Sequence, residues 1–270
     1  MLNKYSKKNI EKIKKSPAPR VLLNVCTHGT ERVGLKVAKY YKDLSPLKGT
    51  FVINIANEAA VRAKKRFLHE DLNRIFPGES KGNSEQRLAH AMKPFIESFD
   101  VVIDVHSTET GLKSALIVTD YSQAVKPLLV AISPKRVIHM KATKSNALIS
   151  FAKIGIGFEY GKDKSKQTYT DTVKGINNLL KHYKMLASLR PNKNRKIIDF
   201  FEANNVVLKP EGFQVAQGVK NFVLLKKGSL VGVNKKTNEK IFATKDFYPI
   251  LFGKNSYKTV FGFSAQKKKF

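Results

Sequence analysis

The chain of 270 residues has one cysteine, no tryptophan and only 21 acidic residues against 50 basic ones. With Cys26 alone, no intrachain disulfide can form, and a reducing cytoplasm is the expected compartment. No apolar run approaches the ~20 residues that span a bilayer, which argues against a helical integral membrane protein. The first twenty residues, MLNKYSKKNIEKIKKSPAPR, are basic but lack the apolar stretch of a secretory signal. Residues 1–19 therefore read as a basic N-terminal segment.

The shortage of acid leaves a net charge of +29. Lysine supplies 41 of the basic residues and arginine only nine, spread through every segment. Nucleic-acid readers usually gather their charge in a stripe with arginine among it, so this pattern reads as a solvated surface. Non-specific attraction to polyanions follows from the charge alone. Arginine is scarce enough to be informative: Arg32, Arg62, Arg66 and Arg74 crowd into one stretch.

At 42% hydrophobic content the chain can bury a full core. Strand-like runs at 20–26, 51–56, 100–105, 114–119, 136–140 and 154–160 alternate with helical spacing at 31–44, 57–65, 84–98, 122–131 and 168–188. The last of these puts Val173, Ile176, Leu179, Leu180 and Tyr183 on one face. Such alternation predicts an α/β fold, a mostly parallel mixed sheet flanked by helices, over residues 20–195. After LRPNKNRK the texture changes to short runs punctuated by Gly and Pro. Residues 196–270 are expected to form a small β-rich C-terminal domain, with QKKKF frayed at its end.

Chemistry concentrates where apolar runs end. VLLNVCTHGTERVG passes from a buried strand into a turn carrying His28 and Glu31, and open α/β sheets bind ligands at such turns. DVVIDVHSTETG ends on His106, with Asp104 two residues earlier on the same strand face. Two histidines and a glutamate form a ligand set of catalytic zinc that leaves a fourth position for water. The ordinary alternatives, a surface turn for the first pair and a packed histidine for the second, each explain one segment but not the convergence. In RFLHEDLNRIFPG, Asn73 and Arg74 adjoin, and a planar guanidinium suits capture of a carboxylate. IGIGFEYG places Glu159 at a strand end, as a paired structural carboxylate or a general base; its shared edge with the other three favours the base.

Together the segments resemble the succinylglutamate desuccinylase/aspartoacylase family, relatives of the zinc carboxypeptidases. That family carries H-G-N-E, R…DLNR-x-F, D-x-H and G-x-E-x-G in this order. Here they stand as HGTE (28–31), Arg66 with DLNRIF (71–76), DVH (104–106) and GFEYG (157–161). The resemblance implies a zinc-dependent deacylase that cleaves the amide of a small N-acyl amino acid bearing a free carboxylate. His28, Glu31 and His106 would hold one Zn²⁺, which polarises the scissile carbonyl and acidifies water. Glu159 would move the proton, and Arg66 would stabilise the developing oxyanion. Asn73 and Arg74 would grip the α-carboxylate, with Tyr257 reaching into the site from the C-terminal region. Asp104 would orient a ligand histidine, by expectation His28.

Three departures bear on specificity. Thr30 replaces the usual Asn of HGNE. Ile149 stands where aspartoacylases bind the substrate's side-chain carboxylate with an Arg, and Lys144 is the nearest preceding cation in sequence. Tyr160-Gly161-Lys162 follows Glu159 in place of Val-Gly-Pro. A metallocarboxypeptidase would use the same zinc and Asn-Arg grip, and a polyanion- or RNA-binding protein on a hydrolase scaffold would explain the charge. Against the latter, no ligand is missing and no aromatic-basic interleaving suited to base stacking occurs. His69, His90, His139 and His182 are expected at loop, surface or packing positions, and Cys26 as a small buried hydrophobe.

Overall fold

The computed structural model describes residues 2–108, 110, 112–187, 198–253 and 258–270. Its N-terminal part runs through a 3₁₀ turn, α1 (Lys7–Lys14), β1 (Arg20–Val25), α2 (Val33–Tyr41), β2 (Thr50–Ile55) and α3 (Glu58–Ala63). There follow α4 (Ser84–Ile96), β3 (Val101–His106), β4 (Ala115–Val118), α5 (Lys126–Ile132), β5 (Arg136–Met140), β6 (Gly155–Glu159) and α6 (Lys166–His182). The C-terminal region contributes β7 (Asp199–Leu208), β8 (Phe213–Val215), β9 (Leu230–Asn234), β10 (Lys240–Phe242), β11 (Tyr248–Ile250) and β12 (Val260–Lys268).

Among the described residues, nine strands form one mixed, mainly parallel sheet in the order β11-β12-β7-β5-β4-β6-β3-β1-β2. Pairing is parallel from β2 through β1 and β3 to β6, and β4 then runs antiparallel to β6. The first strands are covered on both faces, which is why they read as continuous apolar runs. Val21, Leu23 and Val25 enter the core under α2, α5 and α6, whereas Leu22 and Val102 pack toward α1 and α4. Side-chain amides and hydroxyls close the helix starts: Asn57 accepts from Ala60 N, Asn83 from Glu85 N and Gln86 N, and Ser165 from Thr168 N.

Several differences from the sequence reading concern boundaries; the tail expected to fray, for one, pairs with β7 through Gln266, Lys267 and Lys268. The helix expected from 31 begins at Val33, because Glu31 stays in the preceding turn and Asp163 accepts the Val33 N–H at 2.7 Å. The segment after residue 197 divides. β7, β12 and β11 extend the large sheet, and only β8, β9 and β10 form the small antiparallel one. Phe252 and Phe261 sit between the two sheets with Val231 and Phe247.

The N-terminal segment is docked against the sheet. Tyr5 and Ile10 are buried among Phe95, Phe99 and Leu22, and Lys4 Nζ donates to the Ile55 carbonyl and to Glu58.

Candidate active site

The turn after β1 is shaped by close backbone approach. Cys26 takes a left-handed φ of 56°, ending the strand, and its thiol is buried, which pushes its pKa up to about 12 and keeps it a thiol. Gly29 then lies so near α3 that an added Cβ would stand 2.3 Å from the Ala60 carbonyl carbon, so this turn tolerates no side chain there. Its N–H donates to the Arg66 carbonyl, which fixes Arg66 beside the turn. His106 is the last residue of β3 and Glu159 the last of β6, and the two are paired in register.

These elements bring His28, Glu31 and His106 together, each buried, with one ligand atom from each within 4.8 Å of the others. Glu31 stands between the imidazoles: Oε1 lies 2.7 Å from His28 Nδ1 and Oε2 lies 2.9 Å from His106 Nδ1. Burial alone would raise the Glu31 carboxyl and lower both imidazoles. Attraction between charges overrides it: the two imidazoles hold Glu31 well below the usual carboxylate range, and Asp104 together with Glu31 holds His106 well above the usual imidazole one. Two neutral nitrogen donors and one carboxylate oxygen are the donor chemistry of a catalytic zinc site, and these three residues fit such an ion.

The outer groups differ from expectation in one respect. Asp104 pairs with His106, not His28: its Oδ2 lies 2.7 Å from His106 Nε2. Two residues apart on one strand face, the pair meets locally before any reach toward β1 is needed. The partner of His28 is Asp71, whose Oδ1 lies 2.9 Å from Nε2. Asp71 belongs to the DLNR motif, but sequence reasoning assigned it no role. Its carboxyl is held far below the ordinary range: burial opposes ionisation and is overcome by the hydrogen bond and charge of His28, with Arg74 and Arg66 adding. Arg66 reaches Glu31 Oε1 at 3.1 Å and Asp71 Oδ2 at 3.3 Å, so it borders the cluster directly.

A cavity of about 560 Å³ opens over the cluster. Arg66, Asn73, Arg74 and Glu159 line its polar side, together with Asp163, which sequence reasoning missed in the loop after β6. Asn73 is held by the Leu148 N–H on Oδ1 at 2.9 Å, and Arg74 donates to the Asn73 carbonyl at 2.7 Å. Glu159 is partly buried, and burial pushes its carboxyl up to about 7. Its Oε2 is shielded from solvent and has no hydrogen-bond partner among the described residues.

Ile117, Met140, Ala147, Ile149, Leu251 and Phe263 give the lining an apolar share beside Thr119 and Thr143, so Ile149 stands in the cavity itself. Among the described residues, Arg66 and Arg74 are the lysine or arginine side chains on the lining; Lys144 is exposed and outside it. Of the other departures, Thr30 is an exposed lining residue, and Tyr160 turns into the core beside Phe158. Tyr257 lies outside the described residues. His69 bonds Ser84 and Glu85, His90 and His182 are exposed, and His139 packs near Tyr121, each apart from the cluster.

No helix among the described residues is long and apolar enough to cross a membrane. Residues 17–183 match the model of the succinylglutamate desuccinylase/aspartoacylase catalytic domain. A rat (Rattus norvegicus) N-acyl-aromatic-L-amino acid amidohydrolase (carboxylate-forming) is 27% identical over 177 residues, covering 54% of this chain and 54% of the rat protein. The chain thus spans about half the length of that curated relative. The fold is similar to murine aminoacylase 3 at a TM-score of 0.74, with 19% identity over 93% of this chain and 96% of the other. A Rhodobacter sphaeroides succinylglutamate desuccinylase/aspartoacylase superposes at 0.71, with 16% identity over 93% and 86%.

Proposed function

Because the chain belongs to the succinylglutamate desuccinylase/aspartoacylase family, we propose that it is a zinc-dependent amidohydrolase that deacylates N-acyl amino acids. The convergence of His28, Glu31 and His106 beside Glu159 carries this reading. The chemistry is assigned to residues 20–195, with the 196–270 region closing one wall of the cavity through Leu251 and Phe263.

His28, Glu31 and His106 would hold the zinc ion, which when bound supplies a Lewis acid for the amide carbonyl and acidifies water. Glu159, with a partnerless oxygen and a carboxyl held near neutrality, takes the proton of the attacking water and returns it to the departing amine. The C–N bond breaks and a carboxylate and a free amine leave. Arg66 steadies negative charge that develops on the carbonyl oxygen. Asn73 and Arg74 hold the substrate's carboxylate; Tyr257, outside the described residues, is proposed only as a substrate-binding residue. Asp104 and Asp71 orient His106 and His28.

The wall around Ile149 offers apolar contact and no cation among its described residues, so the substrate group lying there is uncharged and apolar. This agrees with the aromatic substrates in the rat relative's name. Hydrolysis of N-acetyl-L-phenylalanine, N-acetyl-L-aspartate and N-succinyl-L-glutamate by zinc-loaded protein tests the reading. Turnover of the first well above the others is expected. Absence of hydrolysis across a wider panel of acyl amino acids would overturn the deacylase assignment.

A further inference from the structure

Three polar side chains lie on one rung of the sheet. Asn54 of β2, Asn24 of β1 and Asp104 of β3 are register partners across adjacent strands, and all three are buried. Tyr5 caps the open end of this rung at the edge strand β2, its hydroxyl 3.1 Å from Asn54 Oδ1. Asn54 Nδ2 donates to Asn24 Oδ1 at 2.7 Å, and Asn24 Nδ2 donates to Asp104 Oδ1 at 2.8 Å. Thr27 adds a second donor to the same oxygen at 2.8 Å. Asp104 Oδ2 then meets His106, and His106 meets Glu31.

The chemistry gives this chain one direction. An ionised carboxylate only accepts, so Asn24 must turn its NH₂ toward Asp104 and its carbonyl toward Asn54. Asn54 must in turn present its NH₂ to Asn24 and its carbonyl to Tyr5, leaving the Tyr5 hydroxyl to donate. Burial keeps that hydroxyl protonated far above its ordinary range. The same sheet face packs Leu22, Val52 and Val102 at neighbouring positions. Replacing a whole buried hydrogen-bonded set by apolar groups can be nearly neutral for stability, so stability alone does not call for Asn-Asn-Asp here.

We propose that Tyr5, Asn54 and Asn24 are positioning residues for the metal site, acting through Asp104 on His106, and that the N-terminal segment is thereby part of the catalytic apparatus. The chain of donors fixes the Asp104 carboxylate, and Asp104 holds His106 Nε2 so that Nδ1 faces Glu31. This inference rests on the zinc reading above, and the two fail differently. Partners of metal ligands typically change metal affinity about 10–100-fold when removed, and the effect should fade with distance along the chain.

The test is zinc affinity of the full chain by chelator competition, together with the melting temperature of the metal-free protein. Tyr5→Phe deletes one oxygen and keeps the ring against Phe95, so the segment stays docked. It should weaken zinc binding by at least about threefold, and Asn54→Ala by about tenfold. The double variant should match Asn54→Ala alone, because both substitutions cut one path. Asp100→Asn, which lowers stability away from the chain of donors, should leave zinc affinity unchanged. Unchanged affinity in both Tyr5→Phe and Asn54→Ala, with or without a lower melting temperature, would overturn the inference while leaving the zinc reading intact. A wild-type protein that binds no zinc would overturn both.

Discussion

His106 and Glu159 end adjacent parallel strands as register partners, yet their side chains serve different surroundings. The imidazole is tied between Asp104 and Glu31, whereas the carboxyl keeps Oε2 without a partner among the described residues. Parallel pairing brings the two together, since both strands finish at the same sheet edge.

Glu159→Gln removes the proposed proton carrier and keeps the shape of the pocket. Turnover should fall by about 10²–10⁴-fold, while the zinc content stays at the wild-type value. Steady-state kinetics with metal analysis on one preparation checks this. Retained turnover would remove Glu159 from the mechanism.

Ile149→Arg places a guanidinium in the apolar wall. Relative kcat/KM should move from N-acetyl-L-phenylalanine toward N-acetyl-L-aspartate by roughly tenfold or more, the scale of a changed pocket contact. A parallel loss on both substrates, with no change in their ratio, would count against this wall as the side-chain subsite.

Arg74→Ala should raise KM for carboxylate-bearing substrates at least about tenfold, the loss of one charge-assisted contact. It should leave kcat less affected, since the carboxylate grip acts equally before and during the reaction. A fall in kcat with unchanged KM would assign Arg74 to the reacting centre.

Arg20 and Asp100 tie the start of β1 to the turn before β3 with two side-chain bonds of 3.0 and 2.8 Å and a backbone bond of 2.9 Å. The Arg20 guanidinium holds the Asp100 carboxyl well below the usual carboxylate range. A carboxyl depressed by folding stabilises the protein above its unfolded pKa of about 3.9, and this contribution disappears as pH falls through the folded value. Asp100→Asn should cost about 1–3 kcal/mol at pH 7, and the gap from wild type should narrow between about pH 5 and pH 2. Denaturant unfolding at several pH values measures it; a pH-independent gap would mean the ion pair is not its source.

Much of the candidate site is legible in the sequence. His28, Glu31, His106 and Glu159 each follow an apolar run, and strand ends in an α/β sheet converge. Which histidine Asp104 reaches was not legible, because the answer depends on side-chain reach at a strand terminus. Asp71 lay in a recognised motif, but its contact to His28 crosses forty-three residues of chain. Asp163 carries no local signal beyond following β6. Asn24 and Asn54 did leave one, as amides inside LLNV and VINI, though only the register shows that they share a rung. β7, β12 and β11 join the large sheet by long-range pairing that local texture does not encode.

The convergence of His28, Glu31 and His106 on one ion is tested most directly by counting zinc. Metal-free protein, equilibrated with zinc and freed of excess, should retain one ion per chain. His28→Ala and His106→Ala, checked for folding by circular dichroism, should retain less than about a tenth of that, since three protein ligands are needed for a catalytic site. Equal zinc in the wild type and both variants, or none in the wild type, would contradict the account.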